Sequence, residues 1–231
     1  MISCYQLTVV HPRGERPLFD EVSLEVEAGV LAQIVGAAGA GKSVLFEIAS
    51  LRRKPRTGRL VVAGRNLDRL DEVGIARVRR SIGSCAQYPQ LIEEESVAEN
   101  LMLPLVARGQ KEGADERVAS AASDTPLEEL LEMPAGRLAH AERRLVGIWR
   151  ALIGDPQLVL IDGGLSGLGD FEQVVADKLV AACERGATVV AFDRARSELL
   201  EDASSRVWRL AEGRLERLDD GAVIDAVEGA A

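Results

Sequence analysis

Long apolar runs are missing from this sequence of 231 residues. No stretch reaches the roughly 18 consecutive apolar residues that cross a bilayer as a helix, so no membrane-spanning segment is expected. A surplus of basic charge is missing too. Asp and Glu number 37 against 28 Lys and Arg, giving a formal net charge of −9. A basic footprint for nucleic acid is therefore not expected. Cysteine is sparse. Cys4, Cys85 and Cys183 are scattered and odd in number, with neither a disulfide framework nor metal-ligand spacing. The opening "MISCYQLTVVHPRG" lacks the basic-then-apolar order of a secretory leader, and a cytosolic location is the expectation. Histidine occurs twice, at His11 and His140.

What is present suits a folded domain. The chain is 47% hydrophobic and 28% charged, enough to bury a core in one large domain or two small ones. The first third reads as β: "CYQLTVV", "VSLEV", the buried run "VLAQIVG" and the glycine-bounded "GRLVVAG". "VLFEIASL" is apolar at helical spacing, and "IARVRRSIGSCAQ" reads as a short helix entering a strand. From Ser96 to Leu152 the β signals fade. Ser96 and Glu99 have capping-box spacing before "VAENLMLPLVARG". "RGQKEGADERVASAASDTP" reads as loop or weak helix, and "PLEELLEMPAGRLAHAERRLVGIWRALI" carries helical periodicity. Alternation then resumes with strand "QLVLID", helix "FEQVVADKLVAACERG", strand "ATVVAFD" and a hairpin turning at Glu212-Gly213. The acidic end, 218–231, is expected to fray. Trp149 and Trp208 read as packing residues.

One motif is complete. Gly36-Ala37-Ala38-Gly39-Ala40-Gly41-Lys42-Ser43 matches G-x-x-x-x-G-K-[ST] between a strand and a helix, the context that gives the motif its meaning. Small residues let backbone N–H groups wrap phosphates, and the helix N-terminus adds positive potential. Lys42 would neutralise the β and γ oxygens of ATP, and Ser43 would offer its hydroxyl to Mg²⁺. Asp162, closing "LVLID", fits the acidic strand end that supports the same metal.

In these pieces and their order, the chain resembles the ATP-binding subunit of an ABC transporter. It is most similar to the branch of the cell-division, lipoprotein-release and macrolide-export ATPases. The resemblance runs from residue 1 to about 217 through "PLFDEVSLEVEAGVLAQIVGAAGAGKS", "GRLVVAGRNLDRL", "SVAENLMLPLVARG" and "ERRLVGIWRALIGDPQLVLID". It implies a single nucleotide-binding domain over 1–217 of α/β P-loop NTPase type. The RecA-like core would carry an N-terminal antiparallel β subdomain and an inserted helical subdomain at about 90–152. It places His11 where an aromatic side chain stacks on adenine. Gln87 falls at the glutamine that bridges Mg²⁺ and the membrane partner. Ser43, Gln87 and Asp162 are then the metal-side residues. The partners implied are an integral-membrane permease and a second cassette, either a copy of this chain or a relative, with peripheral attachment at the cytoplasmic face through the Gln87 region and the segment 96–108.

The hydrolysis residues of the family do not match. The water-polarising glutamate after Asp162 is Gly163. The signature serine is Ala139, within Leu138-Ala139-His140-Ala141-Glu142. "LSGLG" at Leu165–Gly169 stands at the D-loop, with Gly169 for its aspartate and Asp170 next to it. The switch histidine is absent, and Phe192 is the nearest residue to its place, with Asp193 following. Loss of a positioned base costs ~10²–10⁴ in rate, or roughly 3–5 kcal/mol of barrier. The expectation is a cassette that binds Mg-ATP and dimerises but hydrolyses poorly. The alternative is an active ATPase using a non-standard base or an intact partner.

Overall fold

In the computed structural model, residues 1–10, 17–201 and 205–218 are described. His11 and residues 219–231 lie outside them. Three strands build the start of the fold: β1 (Ile2–Val10), β2 (Pro17–Val26) and β4 (Thr57–Val62). They form an antiparallel sheet, completed by the two-residue β5 (Arg65–Asn66), in the order β2-β1-β4-β5. Gln6 takes a left-handed conformation (φ 51°) where the β1 register shifts.

The second sheet holds β3 (Leu31–Val35), β6 (Ile82–Cys85), β7 (Leu158–Asp162), β8 (Thr188–Asp193), β9 (Arg206–Ala211) and β10 (Arg214–Leu218). Its order is β10-β9-β3-β8-β7-β6. All pairs are parallel except the β9–β10 hairpin, which turns at Glu212 and Gly213, both at positive φ. Strands β3 and β7 are buried along their whole length, as expected of a parallel sheet covered on both faces.

The two faces bury different partners. Helix α1 (Lys42–Ala49) lies between the two sheets, where Leu45, Phe46 and Ile48 pack with Leu158, Leu160, Val190 and Phe192. The alternate residues Val159, Ile161, Val189 and Ala191 face the helical side. There they meet α3 (Val97–Ala107), α5 (His140–Leu152) and α6 (Glu172–Glu184) through Leu101, Leu145, Ile148 and Leu179. This period of two fixes which strand-end residue looks at which layer.

Helix α2 (Glu72–Arg80) leads into β6 as the sequence predicts. The polar stretch after residue 108 does form a helix, α4 (Ala114–Ala122). Its buried Ala114, Val118 and Ala122 recur every four residues, and Asp115 and Glu116 sit in its first turn. The helical periodicity of 126–153 is realised only in part. Only α5 is α-helical, preceded by two single 3₁₀ turns at Glu128–Leu130 and Ala135–Arg137. Pro134 interrupts the pattern, because a proline disfavours helix at the residue before it and supplies no N–H.

Candidate functional site

The phosphate-loop motif leaves β3 and enters α1 as its spacing requires. Gly41 sits at φ 100°, and a Cβ there would strike the Phe19 ring at 2.6 Å, so only glycine fits. A Cβ on Gly36 would collide with the carbonyl of Leu210 on β9. The outer turn at Gly39 (φ 80°) faces open space. Lys42 folds back over the loop, its Nζ donating to the carbonyls of Gly36 (2.6 Å) and Ala37 (2.8 Å). Half-burial lowers its pKa, while Asp162 and Asp193 pull the other way. A cavity of about 660 Å³ lies between residues 36–40 and the β9–β10 hairpin.

Asp162 shares the strand parity of Leu158 and Leu160, so its carboxylate looks toward α1. The Ser43 hydroxyl favours its charged form there. Burial pushes the Asp162 pKa up, and Ser43, Arg144 and Lys42 oppose that rise. A hydroxyl and a carboxylate beside the phosphate loop are hard oxygen donors of the kind Mg²⁺ accepts. No group of three or more His, Cys, Asp or Glu that could hold a metal alone occurs among the described residues. A Mg²⁺ that shares its coordination with nucleotide phosphates needs only one or two protein ligands, so the residues fit Mg-ATP.

Gln87 follows β6 with its side chain exposed, and its Cγ lies 3.3 Å from where a Cβ at residue 163 would stand. The structure thus brings Ser43, Asp162, Gly163 and Gln87 into one region. The Gln87 segment is tied down by three arginines of α5, two at backbone carbonyls and one at a side-chain carboxylate. Arg144 donates to the Gln87 carbonyl at 2.9 Å, Arg150 to that of Gln90 at 2.6 Å, and Arg143 pairs with Glu93 at 3.3 Å. Gly147 lets α5 approach this closely, since a Cβ there would meet Pro89 at 2.6 Å.

Phe192 does not face the site. It is the register partner of Asp162, but its ring is buried under the sheet, edge-on to Phe46 at 5.9 Å. At and just beyond the end of this strand, Asp193 and Arg194 act electrostatically on Lys42. Asp193 has the opposite parity and accepts from the Ser166 hydroxyl (2.6 Å), the Ser166 amide (3.3 Å) and the Arg194 amide (2.7 Å). Ala139 is the N-cap of α5. Glu142 accepts from its amide at 2.7 Å, but a methyl group returns no cap to the helix. His140 is exposed, with its ring 5.8 Å from that of Tyr88. Asp170 is exposed in the 3₁₀ turn Gly169–Phe171.

Arg144 and Arg194 carry no mark in the motif pattern. Arg144 did leave one signal in the sequence: it precedes Gly147, Ile148 and Ala151 at spacings of three, four and seven, which places an arginine on a buried helical stripe.

A strand–loop–helix phosphate cradle on a parallel sheet, beside an acidic strand end, defines a P-loop nucleotide-binding cassette. Comparison with known proteins gives the family. The ABC transporter family model matches residues 19–165, more than half of the chain. The lipoprotein-releasing system ATP-binding protein LolD of Chromohalobacter salexigens is 31% identical over 93% of this chain and 92% of its own length. The methionine import ATP-binding protein MetN of Cupriavidus necator is 32% identical over 92% of this chain and 62% of its own length. A dimeric bacterial ABC transporter cassette superposes with a TM-score of 0.80 at 26% identity, covering 94% of this chain and 97% of that one. The chain belongs to the ABC transporter family, as an ATP-binding subunit with the cassette fold.

Proposed function

We propose that this cassette holds Mg-ATP and turns it over slowly or not at all. Residues 36–43 would wrap the phosphates, with Lys42 leaving its two carbonyl caps to meet them. Ser43, Asp162 and Gln87 would hold Mg²⁺, which supplies charge neutralisation at the phosphate oxygens when bound. His11 would stack on the base. The observation that carries the reading is the environment of residue 163. It has no side chain, and the space beside it is taken by a guanidinium rather than a carboxylate. Asp193, the carboxylate beside Gly164, has its oxygens engaged by the Ser166 hydroxyl and amide and the Arg194 amide. Calorimetry with Mg-ATP tests the pocket: saturable binding that weakens on Lys42→Ala is expected, and no binding by the wild-type chain refutes it.

The cassette would work as a dimer, either with itself or with a relative, docked on a membrane permease. No helix of the described residues is long and apolar enough to cross a membrane, so attachment would be peripheral. Four apolar side chains support a docking face around the Gln87 segment and α3. Tyr88, Ile92, Leu103 and Val106 are 64%, 44%, 40% and 50% exposed. In a homodimer, both nucleotide sites would lack the base, the signature hydroxyl and the switch histidine.

A further inference from the structure

Arg144 is 1% exposed, yet no ion pair involving it is found among the described residues. Instead it holds three backbone carbonyls from two segments, one at Gln87 and the other at the turn 162–164. Its Nη1 donates to Gln87 (2.9 Å) and Asp162 (3.2 Å), and its Nη2 to Gly164 (2.9 Å). Its Nε is buried with no partner among the described residues. The cost of burying this charge is offset by the carbonyls its two Nη atoms reach, and those bonds fix the fork. The same fork fills the space beside Gly163. A Cβ there would stand 2.9 Å from Nη1 and 3.2 Å from Nη2, and Gly163 itself lies at φ 85°. A pinned guanidinium cannot swing away as a surface arginine would.

We propose that Arg144 is a positioning residue that latches the Gln87 segment to the turn after Asp162, and that it excludes any side chain at residue 163. Gly163 and Arg144 then act as a pair: residue 163 carries no side chain, and the guanidinium fills the space beside it. This goes beyond the proposed nucleotide reading and concerns the free protein as well. Arg144→Lys keeps the charge but offers one nitrogen, which cannot reach the Gln87 and Gly164 carbonyls as a planar fork does.

The experiment is hydrogen exchange on the nucleotide-free full chain, comparing wild type with Arg144→Lys. Amides in 86–92 and 163–167 are expected to exchange at least about tenfold faster, with β3, β7 and α6 unchanged. Unchanged exchange in both segments, or a uniform rise across the chain, would overturn the latch. A second comparison does not depend on that variant folding. Gly186 lies at φ 95° with nothing within 4 Å of a Cβ, so Gly186→Ala carries the backbone strain without the collision. Gly163→Ala is expected to lower the urea midpoint by more than Gly186→Ala does, and equal losses would overturn the exclusion. Binding of ATP in EDTA and in Mg²⁺ then separates positioning from general packing. Arg144→Lys should lose affinity gained from Mg²⁺ and keep its metal-free affinity, whereas parallel losses would contradict positioning. Failure of wild type to bind ATP at all would end the nucleotide reading and leave the exchange result standing.

Discussion

Lys42 and the buried cysteines show how single side chains set measurable behaviour. Lys42 is capped by Gly36 and Ala37, and in the proposed reading it would exchange those bonds for charge-assisted bonds to phosphate. Lys42→Ala is expected to weaken ATP binding by about 2 kcal/mol, the scale of one hydrogen bond to a charged group, measured by calorimetry. Burial pushes Cys85 up to about 11 and Cys4 up to about 12, both from an ordinary value of 9.0. The neutral thiol is thus favoured in the fold. The stability it contributes is complete below about pH 9 and is lost as pH rises through 11 and 12. Urea midpoints should fall across that alkaline window, and neither thiol should react with an exposed-thiol reagent at pH 8 in the native protein.

At the scale of elements, α3 and α5 carry the argument. Ser96 caps α3 by accepting from the Glu99 amide at 3.1 Å, while the Glu99 carboxylate accepts from the Ser96 amide at 2.7 Å. Ser96→Ala should cost about 1 kcal/mol in chemical unfolding. Leu101, fully buried between α3 and α5, should cost roughly 2–5 kcal/mol as Leu101→Ala. Strands β3, β7 and β8 were legible because buried parallel strands read as short apolar runs bounded by glycine or a turn. Helix α3 was legible from its capping box. The 126–139 stretch was not, because leucine and glutamate keep helical periodicity while Pro134 breaks the backbone. The phosphate loop was readable residue by residue, since a local chain segment makes it. The surroundings of Gly163 were not readable, since α5 supplies Arg144 from 19 positions earlier in the chain. The direction of Phe192 depended on strand parity, which packs it against Phe46 of α1 and sends the Asp193 carboxylate to the other face, where Ser166 and Arg194 hold it.

At the scale of the whole molecule, the proposed reading is a cassette that would hold a nucleotide without the groups that act on its terminal phosphate. The phosphate loop, Ser43 and Asp162 converge at the end of the parallel sheet. The turn after Asp162 is fastened on one side by Arg144 and on the other by Asp193 through Ser166. In the proposed reading, both fastenings occupy the ground on which a water molecule would have to be activated. The most direct test is steady-state ATP turnover by the purified chain, measured beside Mg-ATP binding on the same sample, alone and with a membrane partner. Binding with turnover lower by ~10²–10⁴, the usual contribution of a positioned base, is the predicted result. Turnover at the rate of ordinary family members, abolished by Lys42→Ala, would contradict it.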